Sequence, residues 1–111
     1  MSKDKKTKRA NFRNEVFKRD NYRCRICGVK GSDRNKKTKE ELEELDAHHI
    51  TNRTEMPNGG YIKENGISLC SKCHKKAEMY YQKEITEENF SPEKLYSLIG
   101  SSKEKALRLD S

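Results

Sequence analysis

The chain contains no tryptophan, three phenylalanines and five tyrosines, and only 31% of its 111 residues are hydrophobic. A chain this short and this poor in apolar residues has trouble building a sufficient core, so a metal or disulfide staple is expected. It also lacks any apolar run long enough to span a membrane. The basic opening MSKDKKTKRA is not followed by the apolar stretch of a secretory signal. A reducing, cytoplasmic setting is therefore expected, and there paired cysteines read as zinc ligands more readily than as disulfides.

Charge is plentiful: 39% of residues are charged and the formal net charge is +7. It is unevenly placed, because residues 1–37 carry fourteen Lys or Arg against four acids. Such an excess suits a polyanionic partner through counterion release from phosphates, although a solvated basic tail reads the same way.

Residues 1–10 are rich in Lys and are expected to be a disordered arm. A short helix is expected over Asn11 to Arg19, capped by Asn11, with Phe12, Val16 and Phe17 facing the core over the zinc site. Residues 29–45 read as a polar insertion, in which KEELEELDA favours a short helix with Leu42 and Leu45 three apart. Strands are expected over Ala47 to Thr51 and Gly66 to Leu69, with turn chemistry in MPNGG between them. A helix follows from Ser71 to about Glu84. Ser91-Pro92-Glu93 starts another, with Leu95, Leu98 and Ile99 as its stripe and Gly100 as its stop. The last residues, from Ser101, could frame a further turn of helix but read more as a frayed end. This divides the chain into an arm (1–10), a core domain (11–85) and a C-terminal helical extension (86–111), with an α+β fold.

Two C-x-x-C pairs, Cys24/Cys27 and Cys70/Cys73, use all four cysteines. Four thiolates suit tetrahedral Zn²⁺ in a closed and therefore structural site. Two disulfides or four free thiols are the alternative. The three histidines cluster too. His48 and His49 are adjacent on an expected strand and so point to opposite faces. His74 follows Cys73 directly and shares a helix face with Glu78. Two strands packed on that helix would bring His48 and His74 to one cation, with His49 aimed at a water.

The ordered set C-x-x-C, A-H-H-I and N-G-I-S-L-C-x-x-C-H, introduced by VFKRDNYRCRICG, resembles the zinc-containing HNH endonucleases over about residues 11–83. The resemblance implies a small ββα-metal core with a Cys₄ zinc site and flanking helices. It implies that His48 and His74 hold a divalent cation such as Mg²⁺, Mn²⁺ or Ni²⁺, and that His49 is the general base. Asn65 would be the residue that braces the loop between the strands. Glu78 stands where some members have a further His, which leaves its part in metal binding open. The implied reaction is hydrolysis of a DNA phosphodiester to 3′-hydroxyl and 5′-phosphate ends, with weak sequence specificity. Arg53, Lys75 and Lys76 are candidate phosphate contacts.

Two other readings stand beside this one. A non-catalytic zinc-bearing nucleic-acid-binding module explains the cysteines and the charge but not the histidines. A partner-dependent subunit is the other, since small stand-alone proteins of this kind resemble phage nucleases that work with the terminase or another DNA-processing protein.

Overall fold

A three-stranded sheet, in the order β1 (Gly31–Asp33), β2 (Glu43–His49), β3 (Gly66–Cys70), is crossed on one side by α1 (Lys5–Arg19) and carries α2 (Ser71–Tyr81) on the other. The computed structural model describes residues 5–36 and 42–111. After α2 come α3 (Pro92–Leu98) and α4 (Lys103–Leu109). β2 pairs antiparallel with β3, in a register that sets Leu45 opposite Cys70, His48 opposite Ile67 and His49 opposite Gly66. β1 pairs parallel with β2, but only along Glu43 to Leu45. The Asp46–His49 half of β2 therefore has no strand beside it on that edge among the described residues.

α1 is longer than its sequence suggests. It starts at Lys5, so residues 5–10 are helical rather than disordered, and Asn11 lies inside the helix rather than capping it. Residues 1–4 of the expected arm lie outside the described residues. Phe12, Val16 and Phe17 recur at helical spacing and are all buried. They hold the helix to the sheet, and Lys18 and Arg19 in the last turn complement its dipole. Gly66 permits the close approach: a Cβ there would lie 2.6 Å from both Phe12 and Val16 side chains. Phe17 joins the cysteine end of the core as expected, whereas Phe12 packs at the histidine end.

Buried Asp20 ends α1 and fastens it. Its carboxylate accepts from Arg19 (2.8 Å), Arg25 (3.3 Å) and the Ser68 amide of β3 (2.9 Å). Asn21 and Tyr22 then take positive φ to turn the chain into the first cysteine pair.

The segment read as a helical insertion contains strands instead. Residues 31–33 form β1 and residues 43–49 form β2; positions 37–41 lie outside the described residues. Glu and Leu favour helix locally, but local preference is a weak prior beside sheet pairing on both edges and complete burial of Leu45. The first site strand thus begins at Glu43, four residues before expectation, and ends at His49. α2 ends at Tyr81 rather than near Glu84, and Cys70 rather than Ser71 takes its cap position.

The C-terminal segment is ordered as well. Ser91 caps α3, accepting from the Lys94 amide (3.2 Å), with Pro92 in its first turn. Ser102 caps α4 in the same way (3.1 Å to the Lys105 amide). The frayed tail expected from Ser101 is therefore a docked helix with Ala106 fully buried. No helix among the described residues is long and apolar enough to cross a membrane.

Candidate metal centres and active site

The four cysteines converge where the Cys24–Gly28 turn meets the β3–α2 junction. Their sulfurs lie within 4.8 Å of one another, and Cys27 Sγ and Cys70 Sγ are 3.7 Å apart. A Zn–S bond of about 2.3 Å in a tetrahedron gives an S···S edge of about 3.8 Å, whereas a disulfide requires about 2.05 Å. The spacing is compatible with one zinc ion, and all four cysteines stand as free thiols in this structure. Electrostatics agree. Burial would push the Cys24 thiol up, but amides of Cys27, Cys70 and Ile26 bring it down to about 7. Burial then pushes the Cys73 thiol far up, with repulsion from Cys24 adding to it. Holding all four as thiolates at this separation would require a cation among them.

A second cluster forms where β2 faces α2. His48, His74 and Glu78 each offer one atom to a common point, all within 4.8 Å. His74 Nε2 lies 3.2 Å from Glu78 Oε1, and His48 Nδ1 lies 3.9 Å from that same oxygen. Both separations are below twice a metal–ligand bond of about 2.1 Å, so one cation can reach the groups. The chemistry also suits a cation: burial, then the neighbouring histidines, lowers His48 to about 3 and keeps it neutral. Glu78, ambiguous in the sequence, is thereby grouped with the two histidines.

Asp46 completes this cluster and is a residue the sequence reading missed. It lies two positions before His48 on β2, hence on the same face. Its carboxylate accepts from His74 Nδ1 (3.1 Å) and from Arg34 (2.8 and 3.1 Å). Burial opposes its ionisation, but these bonds hold the carboxyl down at about 2. The Asp46 bond raises the His74 imidazole against the effect of burial, and with Nδ1–H so engaged it is Nε2 that faces Glu78 and His48. This is the usual arrangement behind a metal-binding histidine.

His49 points to the opposite face of β2, as adjacent strand residues must. Its ring stacks on Phe12 (centroids 4.4 Å apart, 25° between planes) and meets Tyr61 edge-on (4.9 Å, 88°). Burial first, and then the Arg53 charge, lower it to about 4, so the imidazole is neutral near pH 7. Nε2 is covered and has no hydrogen-bond partner among the described residues. The sequence reading aimed this ring at a water; the structure packs it between two aromatic rings.

Asn65 is fully buried and every hydrogen-bonding position of its amide is used. Its Nδ2 donates to the carbonyls of Thr51 (3.1 Å) and Gly60 (3.3 Å). Its Oδ1 accepts from the Thr51 amide (3.0 Å) and from the Tyr96 hydroxyl (2.7 Å). The amide therefore closes the whole loop between β2 and β3, immediately beyond His49. Tyr96 is a second residue that the sequence reading missed.

A cavity of about 310 Å³ is lined by His48, His49, Arg53, His74 and Glu78 together. Arg53 therefore stands at the site. Lys76 does not: it pairs with Glu87 (3.8 Å) and lies over the Phe90 ring. Lys75 is exposed on α2 and is not among the residues lining that cavity.

No curated protein and no solved structure matches the chain significantly. Residues 24–78, from the first zinc-type cysteine to the last residue of the histidine cluster, match the sequence model of the family described as HNH endonuclease. Residues 24–78 therefore carry an HNH endonuclease-type domain, the family that the ordered cysteine and histidine motifs resemble.

Proposed function

We propose that the protein is a metal-dependent DNA endonuclease that hydrolyses phosphodiester bonds with one catalytic cation and His49 as general base. The observation that carries this reading is the pairing of a three-ligand cluster, His48, His74 and Glu78, with a neutral imidazole on the next residue of the same strand, all lining one cavity. A divalent cation held by those three residues would stabilise negative charge on the phosphoryl and leaving oxygens. Neutral His49 can accept a proton from a water molecule, and its unpartnered nitrogen is the kind of buried polar exception that functional sites retain. Asn65 keeps the strand end carrying His49 in register with β3, since the Ile50 amide bonds to its carbonyl (2.9 Å) while its side chain closes the loop. Arg53 would contact a substrate phosphate at the cavity mouth. The zinc on the four cysteines is structural and fixes the start of α2, which carries His74. The reading includes weak sequence preference, any sharper choice of site being lent by a partner such as a terminase.

One observation favours the alternative of a non-catalytic nucleic-acid-binding module: His49 Nε2 is sealed by its surroundings. Incubating supercoiled plasmid with the protein under Mg²⁺, Mn²⁺, Ni²⁺ or no added metal decides between them, beside a folded, zinc-retaining His49→Ala variant. Metal-dependent nicking by the wild type and not by the variant supports the nuclease. Salt-sensitive DNA binding without cutting by either supports the module.

A further inference from the structure

Beside Arg53, the face of β2 opposite the metal cluster carries two further cations, Lys8 and Arg9, that the proposed reaction has not used. Lys8, Arg9 and Arg53, all exposed, converge on Tyr61. Arg53 Nη1 donates to the Tyr61 hydroxyl at 2.9 Å, and the Arg9 guanidinium stands beside that same hydroxyl. Lys8 Nζ lies 5.3 Å from the Tyr61 ring centroid and is steadied by the Asn58 carbonyl (3.1 Å). The Tyr61 ring in turn packs edge-on against both Phe12 and His49. One half-buried tyrosine thus holds three cations in place next to the proposed base.

Among the described residues none of these three cations has a carboxylate within ion-pair distance. The contrast with Arg13, one turn along α1 from Arg9, is direct: Arg13 is engaged by Asp33 at 3.4 Å. Of the acids near this loop, Asp110 is committed to the amides of Asn58 (2.8 Å) and Gly60 (3.0 Å), and Glu55 accepts from the Tyr81 hydroxyl (3.0 Å). Gathering like charges without a counter-ion is unfavourable unless an anion is to be received there, and guanidinium groups match phosphate oxygens in geometry as well as charge.

The placement relative to the metal cluster identifies that anion. Arg9, Arg13, Arg53, Tyr61, Phe12 and His49 line a cavity of about 220 Å³. It shares Ala47, His49 and Arg53 with the larger cavity that holds His48, His74 and Glu78. The two therefore adjoin at these residues, beside the Asp46–His49 edge of β2 that β1 leaves uncovered.

We propose that Lys8, Arg9 and Arg53, organised by Tyr61, form a phosphate clamp for the DNA strand next to the bond being cut, on the far side of β2 from the His48, His74 and Glu78 cluster. The inference rests on the nuclease reading for the position of the cut bond, and it gives α1 a part in substrate binding. A strand draped over the β2 edge would place one phosphate at the cluster and a neighbouring one in the clamp, with His49 between them.

The test is binding of a fluorescent DNA duplex at several salt concentrations without added divalent cation, for the wild type, Arg9→Ala and Lys8→Ala/Arg9→Ala. Each phosphate contact contributes about 0.9 to the slope of log K against log salt. The single variant should lose about 0.9 of slope and the double variant about 1.8. Lys30→Ala, exposed beside the first cysteine pair, should keep the wild-type slope. Wild-type slope and affinity in the double variant would overturn the clamp. Plasmid cleavage by the same preparations separates the two claims. A wild type that cuts while the double variant keeps its slope defeats the clamp alone; a wild type that never cuts while the variants lose slope defeats the nuclease reading alone.

Discussion

Tyr96 donates a buried hydrogen bond of 2.7 Å to the side-chain oxygen of Asn65, across 31 residues of sequence. The Thr51 hydroxyl lies 2.6 Å from the same phenol, so a residue of α3 locks both ends of the loop that separates β2 from β3. Tyr96→Phe removes this donor while keeping the ring, and should cost about 1–3 kcal/mol. Asn65→Ala should cost more, because it strands the Thr51 amide and two carbonyls at once. Urea denaturation of both variants checks the order. Equal stabilities would mean that the amide does not close the loop.

If the four cysteines hold a structural zinc ion, as proposed, removing it should unfold the domain. Apparent zinc-binding energies of about 10–16 kcal/mol in small zinc domains match or exceed the roughly 5–15 kcal/mol that hold a domain together. A strong chelator should therefore abolish the native circular dichroism signal, and Cys73→Ser should be isolated unfolded or without zinc. A chelated protein that kept its signal and thermal transition would show that the core stands without the metal.

Asp46→Asn keeps the shape of the side chain but loses the charge that fixes His74. Partners of this kind change metal affinity by about 10–100-fold. Titrating Mn²⁺ into the zinc-loaded protein by calorimetry should show a loss of that order at the His48, His74 and Glu78 cluster. Arg34→Ala, one bond further out, should lose less. Unchanged Mn²⁺ affinity in the Asp46 variant would remove it from the site.

Glu78 tests the composition of the cluster more directly. If its carboxylate is the third ligand, Glu78→Ala should weaken Mn²⁺ binding more than Asp46→Asn does. Glu78→His, which returns a nitrogen ligand to the same helix position, should recover most of it. A Glu78→Ala variant with wild-type Mn²⁺ affinity would leave the two histidines as the only protein ligands.

Much of the site is written locally in the chain, and what was missed depends on distant partners. The cysteine pairs and the His48/His74 pairing carry their chemistry in short spacings, whereas Asn65 was marked only by the resemblance to the HNH endonucleases. The start of β2 does not: Glu43, Glu44 and Leu45 spell helix, and only pairing with β1 and β3 makes them strand. Asp46 was missed because its partner, His74, lies 28 residues away. A signal was present, since Asp46 alternates with His48 onto one strand face. Tyr96 carried no such signal, because its neighbours Leu95 and Leu98 marked α3 as apolar while its hydroxyl partners lie on another element.

The C-terminal residues gave the most misleading local reading, and they yield the last prediction. Sequence polarity suggests that residues from Ser101 onward fray, yet α4 buries Ala106 and sets the Asp110 carboxylate against the amides of Asn58 and Gly60. Ser101 adds a bond to the Glu64 carbonyl at 2.9 Å, one residue before Asn65. The tail thus clasps the β2–β3 loop from outside while Asn65 closes it from within. Asp110→Ala leaves two backbone amides without their acceptor, one of them on buried Gly60, and should cost about 1–3 kcal/mol. Deleting residues 102–111 should cost more, since the burial of Ala106 goes as well, while the zinc content stays at one ion per chain. Thermal unfolding with metal analysis on the same samples checks both. A truncated chain as stable as the full one would return these residues to the frayed tail that their sequence resembles, and would leave Asn65 and Tyr96 alone in holding the loop.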